Sequence, residues 1–428
     1  MNGGLTNFSG RFSRDVAWTL GTRVLMIVNS VAAGIIVAHW LGAKGVGELA
    51  VINVAVTTIV QLGSFGLPSS NTYFIAQDRA HFRAAAINSL LFATVTGSVL
   101  ALALSVLASV RPDWFGFVPP KLIAIASVQI PFLLLTLIGL NILLALGKLR
   151  EFNLLDLLSQ SFLLINALLI LIVLGRGLDA LVKVNTVTSV LVSIVVVVLL
   201  VAGGKKLIDS KWRADAALLR RMITYGLKFH ISVLAGAIIF RADLLVVNHF
   251  RGAAEAGVYS VATQFGMLLM LLPSVIATLL FPRVTAEQDA HGETTWLVTR
   301  YTALIMLVCC LAAVPVSFLL PLVYGAAFSD ATTLLLILLP GVYLIGLESV
   351  LVQHFSALGL PRTIPVYWLV TLVVNLVLVF ALVPQFGAYG AAIASTVSYA
   401  LIFALVIFYF LATTRRAVMA TARGSLRG

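Results

Sequence analysis

The sequence predicts an all-α integral membrane protein whose twelve transmembrane helices form two pseudo-symmetric six-helix bundles around a central cavity. About twelve apolar stretches, each near 20 residues, follow one another along the chain, and most lysines and arginines lie between them. A helix of about 20 apolar residues spans a hydrocarbon core of roughly 30 Å. The chain is 61% apolar with a mean hydropathy of +1.08, whereas soluble domains are about 45–50% apolar. In lipid, such stretches must be helical because the backbone has no water to bond.

The predicted spans follow the apolar runs in order. Five prolines, Pro68, Pro131, Pro273, Pro315 and Pro340, lie within them, where neighbouring helices or water can bond the freed backbone groups. The apolar run after Arg14 is too long for a signal-peptide core of about 7–15 residues, so we interpret it as a retained first span. The spans are 15–40, 47–74, 83–110, 121–146, 150–175, 178–203, 223–249, 256–282, 295–322, 330–357, 363–384 and 387–412.

The basic residues predict the orientation. If the N-terminus is cytoplasmic, 19 of the 28 lysines and arginines fall on the cytoplasmic side and 5 on the other side, and the rest lie within spans. Short cytoplasmic loops carry an excess of Lys and Arg. We therefore expect an even number of spans, with both termini in the cytoplasm.

The two halves repeat at an offset of 210 to 212 residues. Because each half has six predicted spans, the repeats are expected to run parallel. This organisation predicts an N-terminal bundle over 1–204, a basic cytoplasmic connector over 205–222 and a C-terminal bundle with a short tail over 223–428. The matches are Val37, His39, Gly42, Ala43, Gly47 and Val51 with Val247, His249, Gly252, Ala253, Gly257 and Val261, then Gly177, Thr186 and Val187 with Gly387, Thr396 and Val397, then Ala145-Leu146-Gly147 with Ala357-Leu358-Gly359.

Several functions lack their sequence signatures. The net charge of +12 arises from residues that flank apolar spans, so it indicates membrane topology and no nucleic-acid partner. No G-x-x-x-x-G-K-[ST] motif or D-x-D pair occurs, and no His or Cys cluster has metal-ligand spacing. The two cysteines, Cys309 and Cys310, are adjacent within an apolar run. We expect no metal, no cofactor and no enzymatic activity.

Charged residues within the spans are the first candidates for function. Such groups are costly in lipid and usually face a bundle interior or water. Lys183 and Lys228 lie about five residues from a span end, where a long side chain can reach the headgroups. Arg23 and Arg241 lie about eight residues in, near 12 Å at helical rise, which favours a cavity. With Glu348 and Asp243 as the acids at comparable depth, basic groups outnumber acidic ones four to two and favour an anionic, phosphate-containing ligand.

Neutral polar residues recur at helical spacing on several spans. His230, Arg241 and Asn248 align at 100° per residue, as do Thr19, Arg23 and Ser30 on the first span. These stripes predict either a wet face or hydrogen bonds between helices. The third, sixth and twelfth spans are almost wholly apolar and are predicted to face lipid, which leaves the first, second, seventh and eighth around the cavity. The predicted binding set is Arg23, Arg241, Lys228, His230, Asn53, Gln61 and Gln264, with Glu348 and Asp243 as candidates for ion coupling.

Certain motifs, taken in order along the chain, resemble those of a known family. The motifs are Leu41-Gly42 with Gly47, Ala145-Leu146-Gly147-Lys148, Arg251-Gly252 through Gly257-Val258-Tyr259-Ser260-Val261-Ala262, Phe281-Pro282-Arg283 and Phe386-Gly387-Ala388-Tyr389-Gly390-Ala391-Ala392. With these motifs the chain resembles, over its whole length, the polysaccharide transporter family of lipid-linked oligosaccharide flippases (the O-antigen or Wzx type), in the multidrug/oligosaccharidyl-lipid/polysaccharide exporter superfamily.

The resemblance implies two six-helix bundles in a V around a cationic cavity. It implies a polyprenyl-pyrophosphate-linked oligosaccharide as substrate, moved by alternating access from the inner to the outer leaflet of a bacterial cytoplasmic membrane. It further implies membrane lipid, a polymerase and other glycan-assembly proteins as partners, and coupling to an ion gradient. The family has no invariant catalytic set, so the choice of Arg23 and Arg241 as site residues depends on their depth alone.

Two other functions remain open at this stage. An ion-coupled multidrug or cation antiporter of the same superfamily would depend on Glu348 and Asp243 rather than on the arginines. A scaffold of a glycan-assembly complex, without transport, would tolerate neutralisation of every buried charge. Glu348 itself is interpreted equally as a proton or sodium coupler and as the partner of an arginine.

Overall fold

A computed structural model describes residues 2–116, 118–205, 213–287, 291–359 and 361–425. Within these ranges the chain is almost entirely helical and has no β-strand. The predicted all-α class is therefore confirmed. The chain divides into two compact units, unit 1 over Met1–His230 and unit 2 over Ile231–Gly428. Residues 206–212 of the predicted connector, 205–222, lie outside the described residues, and the connector remains a prediction, as do the predicted bundle boundaries.

Unit 1 contains seven α-helices and the first part of an eighth. Helix α6 continues as one π-helical segment, Leu168–Val173, and α8 crosses the division at His230 into unit 2. The helices are α1 Asn2–Gly63, α2 Leu67–Gln77, α3 Phe82–Val110, α4 Pro120–Ser127, α5 Gln129–Ala145, α6 Leu149–Ala167, α7 Leu178–Lys205 and α8 Ala216–Ile239. Short 3₁₀ turns at Arg79–His81 and Pro112–Phe115 flank α3.

Unit 2 contains the end of α8 and eight further helices. A 3₁₀ turn at Ala326–Phe328 separates the short α13 from α14. The helices are α9 Ala242–Arg251, α10 Ala253–Leu269, α11 Leu271–Glu287, α12 Glu293–Ser317, α13 Leu320–Tyr324, α14 Asp330–Ala357, α15 Thr363–Phe386 and α16 Ala388–Ser425.

Eleven helices of the described chain are long and apolar enough to cross a membrane. The first, Gly21–Gly63, has 43 residues and is interrupted at Gly42, so its two arms are each long enough for a separate crossing. This interruption is compatible with the predicted twelve spans, and the number twelve itself stays a prediction.

Glycines at repeat-related positions end helices in the same way. Gly42 has φ 64° and ψ −176°, and Gly252, 210 residues later, has φ 90° and ψ 171°. Gly147 and Gly359 also share a positive φ, at 75° and 105°. Side chains with a Cβ rarely adopt this conformation. The repeat seen in the sequence therefore corresponds to a repeated backbone geometry.

Each unit is built around one central helix. In unit 1, α5 packs against α2, α3 and α7, and buries Ile130, Leu134 and Ile138. In unit 2, α14 packs against α10, α11, α12 and α16. These are the fourth and tenth predicted spans, which are equivalent in the repeat. Between membrane helices, close packing and hydrogen bonds supply the association that the hydrophobic effect supplies in water.

The peripheral helices correct one prediction. Helices α3 and α7 expose long apolar side chains, such as Val99 and Leu191, as expected of the third and sixth spans. Helix α16, the twelfth span, is different, because Ala391, Ser395 and Ile402 are fully buried against α14 and α15. The expectation that the twelfth span faces lipid therefore applies to only one of its faces, which exposes Ile393, Val397 and Phe408. The small residues of α16 allow neighbouring helices to pack closely against its other face.

Candidate functional site

In unit 1, a seam of polar contacts joins α1 to α6. The Arg23 guanidinium (Nη1) lies 3.0 Å from Asp156 Oδ2, and the two side chains are 38% and 17% exposed. On either side of this ion pair, Asn153 Nδ2 donates to Thr19 Oγ1 and Asn29 Nδ2 donates to Ser161 Oγ, both at 2.8 Å. Thr19 and Arg23, two members of the predicted stripe on the first span, thus contact side chains of α6.

Asp156 is a charged residue that the sequence analysis missed. It lies about six residues inside the fifth predicted span, and with Asn153 and Gln160 it follows the i, i+3, i+7 spacing of one helix face. The count of two acids at depth is therefore wrong, because Asp156 is a third. That spacing, together with an acid about six residues inside an apolar run, was the available signal.

The predicted residues on the second arm of α1 lie apart from this seam in sequence. Asn53 is exposed, Gln61 is partly buried, and Thr57 Oγ1 donates to the Asn53 backbone carbonyl at 2.7 Å. His230 on α8 is buried and hydrogen-bonded to the Leu62 backbone. The side chain of Lys228 lies outside the described part of the chain. Ligand binding by these residues stays a prediction.

In unit 2, the seventh predicted span breaks at Phe240 and Arg241. Helix α8 ends at Ile239, the Arg241 N–H bonds to the Ile238 carbonyl at 3.0 Å, and α9 begins at Ala242. The alignment of His230, Arg241 and Asn248 assumed one unbroken helix, and the break removes that assumption. No proline or glycine lies at the break, so the sequence contains no local signal for the end of α8.

Arg241 lies at the break, partly buried. Among the side chains that the structure describes, none forms an ion pair or a hydrogen bond with its guanidinium. The first backbone N–H groups of α9 point toward the same end of the helix, which carries a partial positive charge. A partly buried cation at a helix N-terminus, with no partner in the described chain, is suited to an anion.

Asp243 follows the break and bonds to the elements around it. Its buried carboxylate accepts hydrogen bonds from the Tyr259 hydroxyl, from Ser395 Oγ at 2.8 Å and from the Leu244 backbone N–H at 2.8 Å. These donors come from α10, α16 and the first turn of α9. The carboxylate therefore stabilises the start of α9, and ion coupling by Asp243 stays a prediction.

Glu348 is the other predicted acid of unit 2. It is fully buried in the middle of α14, near the apolar side chains of Ile345 and Leu351, and one carboxylate oxygen accepts a hydrogen bond from Trp368 on α15. The other oxygen, Oε1, is buried without a partner in the described chain. No arginine lies within ion-pair distance among the described side chains, so the interpretation of Glu348 as the partner of an arginine lacks support. Gln264 on α10 is partly buried and is not free of contacts.

Together, the helices, the buried polar groups and the repeat define a polytopic helical membrane protein, and its fold is similar to those of solved membrane transport proteins. The fold is similar to that of the lipid II flippase MurJ in an inward closed conformation, with a TM-score of 0.74, 16% identity and coverage of 95% of this chain and 90% of that one. It is equally similar, at a TM-score of 0.74 and 15% identity, to an inward-facing multidrug resistance MATE family transporter of the MOP superfamily, over 95% and 99% of the two chains.

The sequence then assigns the family. The profile of the polysaccharide biosynthesis protein family matches residues 14–288, so the chain belongs to this family. Two relatives come from Haloferax volcanii. One, named "Probable low-salt glycan biosynthesis flippase Agl15", is 23% identical over 215 residues, which is 48% of this chain and 44% of that protein. The other, "Probable flippase AglR", is 26% identical over 164 residues, 36% of this chain and 34% of that protein. The chain thus spans less than half the length of these relatives.

Proposed function

We propose that the protein is a flippase that moves a polyprenyl-pyrophosphate-linked oligosaccharide from the inner to the outer leaflet by alternating access. The observation that carries this proposal is Arg241, a partly buried cation that has no partner among the described side chains and lies at a break in a membrane helix. Family membership, the fold and the names of the two relatives support the same substrate class.

The energetic problem of such a substrate explains the need for arginines. Moving a bare pyrophosphate into hydrocarbon costs tens of kcal/mol on a Born estimate. Arginine replaces part of the lost solvation, because its planar guanidinium donates two parallel hydrogen bonds to a phosphate. The glycan would remain in water while the polyprenyl chain remains in lipid.

Arg23 and Arg241 differ in depth when each is counted from the repeat-related glycine that follows it. Arg23 lies 19 residues before Gly42, about 28 Å at helical rise, and Arg241 lies 11 residues before Gly252, about 16 Å. If both glycines lie at the outer surface, Arg23 is nearer the cytoplasm. We propose that Arg23 contacts the phosphates on the cytoplasmic half and Arg241 nearer the outer half.

The proposed location is the cytoplasmic membrane of a bacterium, with both termini in the cytoplasm. The distribution of Lys and Arg among the loops supports this orientation. The named relatives are archaeal, so the choice of a bacterium depends on the resemblance in sequence. A polymerase and other glycan-assembly proteins are the proposed partners.

The experiment that tests the function compares Arg23→Ala, Arg241→Ala and the double variant in proteoliposomes. The readout is the rate at which a fluorescent polyprenyl-pyrophosphate-linked sugar crosses the bilayer, at matched protein content. A hydrogen bond to a charged group is worth about 1.5–3 kcal/mol, so each variant should raise the half-saturating concentration by about 10- to 150-fold. Arg176→Ala, which removes an exposed loop arginine, is the matched control and should transport normally.

The alternative functions give different results when flipping and drug efflux are measured with the same proteoliposomes. Near-normal flipping by the double arginine variant would refute the proposal. If Glu348→Gln then abolished efflux of a cationic drug, the antiporter would replace the flippase. The observation that favours this second function is the buried Glu348 oxygen that has no partner in the described chain. A scaffold would show neither activity in any variant.

A further inference from the structure

The ion pair of Arg23 and Asp156 engages only part of the guanidinium. Nη1 contacts Asp156 Oδ2 at 3.0 Å and lies 4.0 Å from the Met26 sulfur. Within the described side chains, Nε and Nη2 have no partner. With 38% of its side chain exposed, Arg23 can offer Nε or Nη2 to a first phosphate oxygen while Nη1 still contacts Asp156.

The packing of α1 against α6 does not depend on this pair. The neutral contacts of Thr19 with Asn153 and of Asn29 with Ser161 flank it and hold the two helices at both ends of the seam. Ion pairs with exposed members add little stability, typically about 0.2–1 kcal/mol. A carboxylate that is 17% exposed in a membrane helix is therefore costly for a purely structural contact.

A phosphate that binds both terminal nitrogens of the guanidinium, Nη1 and Nη2, needs the donor that Asp156 occupies, so the carboxylate and the phosphate compete for it. A transporter must release its substrate as well as bind it. An arginine with no competitor would bind a pyrophosphate tightly. When a neighbouring carboxylate occupies the guanidinium part of the time, the affinity for the pyrophosphate falls in proportion to the fraction of time that the guanidinium is free.

We propose that Asp156 is a positioning residue that competes with the pyrophosphate for Arg23, so that it sets the affinity of the site and speeds substrate release. This inference rests on the proposed function, since it assumes that Arg23 binds the headgroup. After release, Asp156 takes back the guanidinium and leaves the site neutral. No proton transfer is required for this exchange.

The first test measures binding of farnesyl pyrophosphate to the purified full-length protein in detergent at fixed ionic strength. Asp156→Asn keeps the shape and removes the charge, and it should bind about fivefold more tightly, the upper end expected for such a pair. In the Arg23→Ala background the same substitution should change little, because the competition needs the arginine. Asp156→Glu, which restores the charge, should bind as the wild type does.

The matched control is Asn153→Ala, which removes a neutral hydrogen bond from the same seam. It should leave the affinity unchanged, whereas a purely structural role of the seam predicts equal effects of Asn153→Ala and Asp156→Asn. If Asp156→Asn does not fold, Asp156→Ser takes its place in the same comparison.

Failure of the inference is distinguishable from failure of the function. If Arg23→Ala binds the probe as the wild type does, Arg23 is not a headgroup ligand and the proposed site is wrong. If Arg23→Ala weakens binding but Asp156→Asn binds equally or more weakly than wild type, only the role of Asp156 is refuted. In the flipping assay, Asp156→Asn should lower both the half-saturating concentration and the maximal rate. A lower maximal rate with an unchanged half-saturating concentration would also refute the proposed role of Asp156.

Discussion

Substitution of Gly226 by alanine tests how unit 1 holds the first part of α8. A Cβ at Gly226 would lie 2.7 Å from the Gly66 carbonyl oxygen and 2.7 Å from Ser70 Oγ. Ser70 Oγ donates to the Met222 carbonyl at 2.6 Å, and the rings of Tyr73 and Tyr225 stack with centroids 4.3 Å apart. Helices α2 and α8 therefore approach closely here, and a methyl group can fit only if they separate.

The expected cost follows from these contacts. Overpacking costs about 1–3 kcal/mol, and loss of the Ser70 hydrogen bond costs about 1 kcal/mol more. Alanine regains up to about 1 kcal/mol of helix propensity. Gly226→Ala should therefore lose about 1–3 kcal/mol in the free energy of unfolding, measured by SDS titration in mixed micelles.

Gly21 supplies the control, because a Cβ there has no atom within 4 Å. Gly21→Ala should lose no stability, since it gains propensity without a clash. Ser70→Ala should cost less in the Gly226→Ala background than in the wild type, because the bond to Met222 is already weakened. Equal stability of Gly226→Ala and Gly21→Ala would show that this close approach is absent, and the reasoning would be wrong.

Two further substitutions probe unit 2 with the same unfolding measurement. Gly387→Ala should destabilise the protein by about 1–2 kcal/mol, because Gly387 has φ +59° and its new Cβ would overlap the Glu255 carboxylate. The control is Gly177→Ala, at the repeat-related position in unit 1, which should cost no stability because a Cβ there has no atom within 4 Å. Tyr259→Phe should cost about 1–3 kcal/mol, because it removes one of the donors to the buried Asp243 carboxylate. Unchanged stability in the first case, or in the second, would refute the corresponding contact.

Much of the fold could be predicted from the sequence because lipid restricts the choices. Apolar length predicts the helices, and the repeat-related Gly42 and Gly252 predict where two of them end, since glycine adopts a positive φ easily. The lipid-facing surface was harder to predict. Alanine and serine on α16 suit both a lipid-exposed helix and a closely packed one, and only the neighbouring helices decide between them.

The site was predicted less completely because pairing across helices leaves no trace in one segment. Arg23 was identified by depth, but its partner lies 133 residues away on α6. Arg241 was also identified by depth, although the helix break that surrounds it has no local signal. Periodicity assumes a continuous helix, so the alignment of His230 with Arg241 was lost at the break.

The missed acid changes the electrostatic argument for an anionic substrate. Asp156 pairs with Arg23, and Lys183 forms an ion pair with Asp179 one turn away, so two of the four predicted basic groups are already neutralised. A surplus of positive charge counted from the sequence therefore overstates the attraction for a phosphate. What favours an anion is the geometry of single arginines: Arg241 has no partner among the described side chains, and Arg23 keeps donors that its carboxylate does not use. Anion selectivity in this chain is thus expected to be sensitive to Arg→Lys substitution at these two positions, which preserves the charge but removes the planar fork.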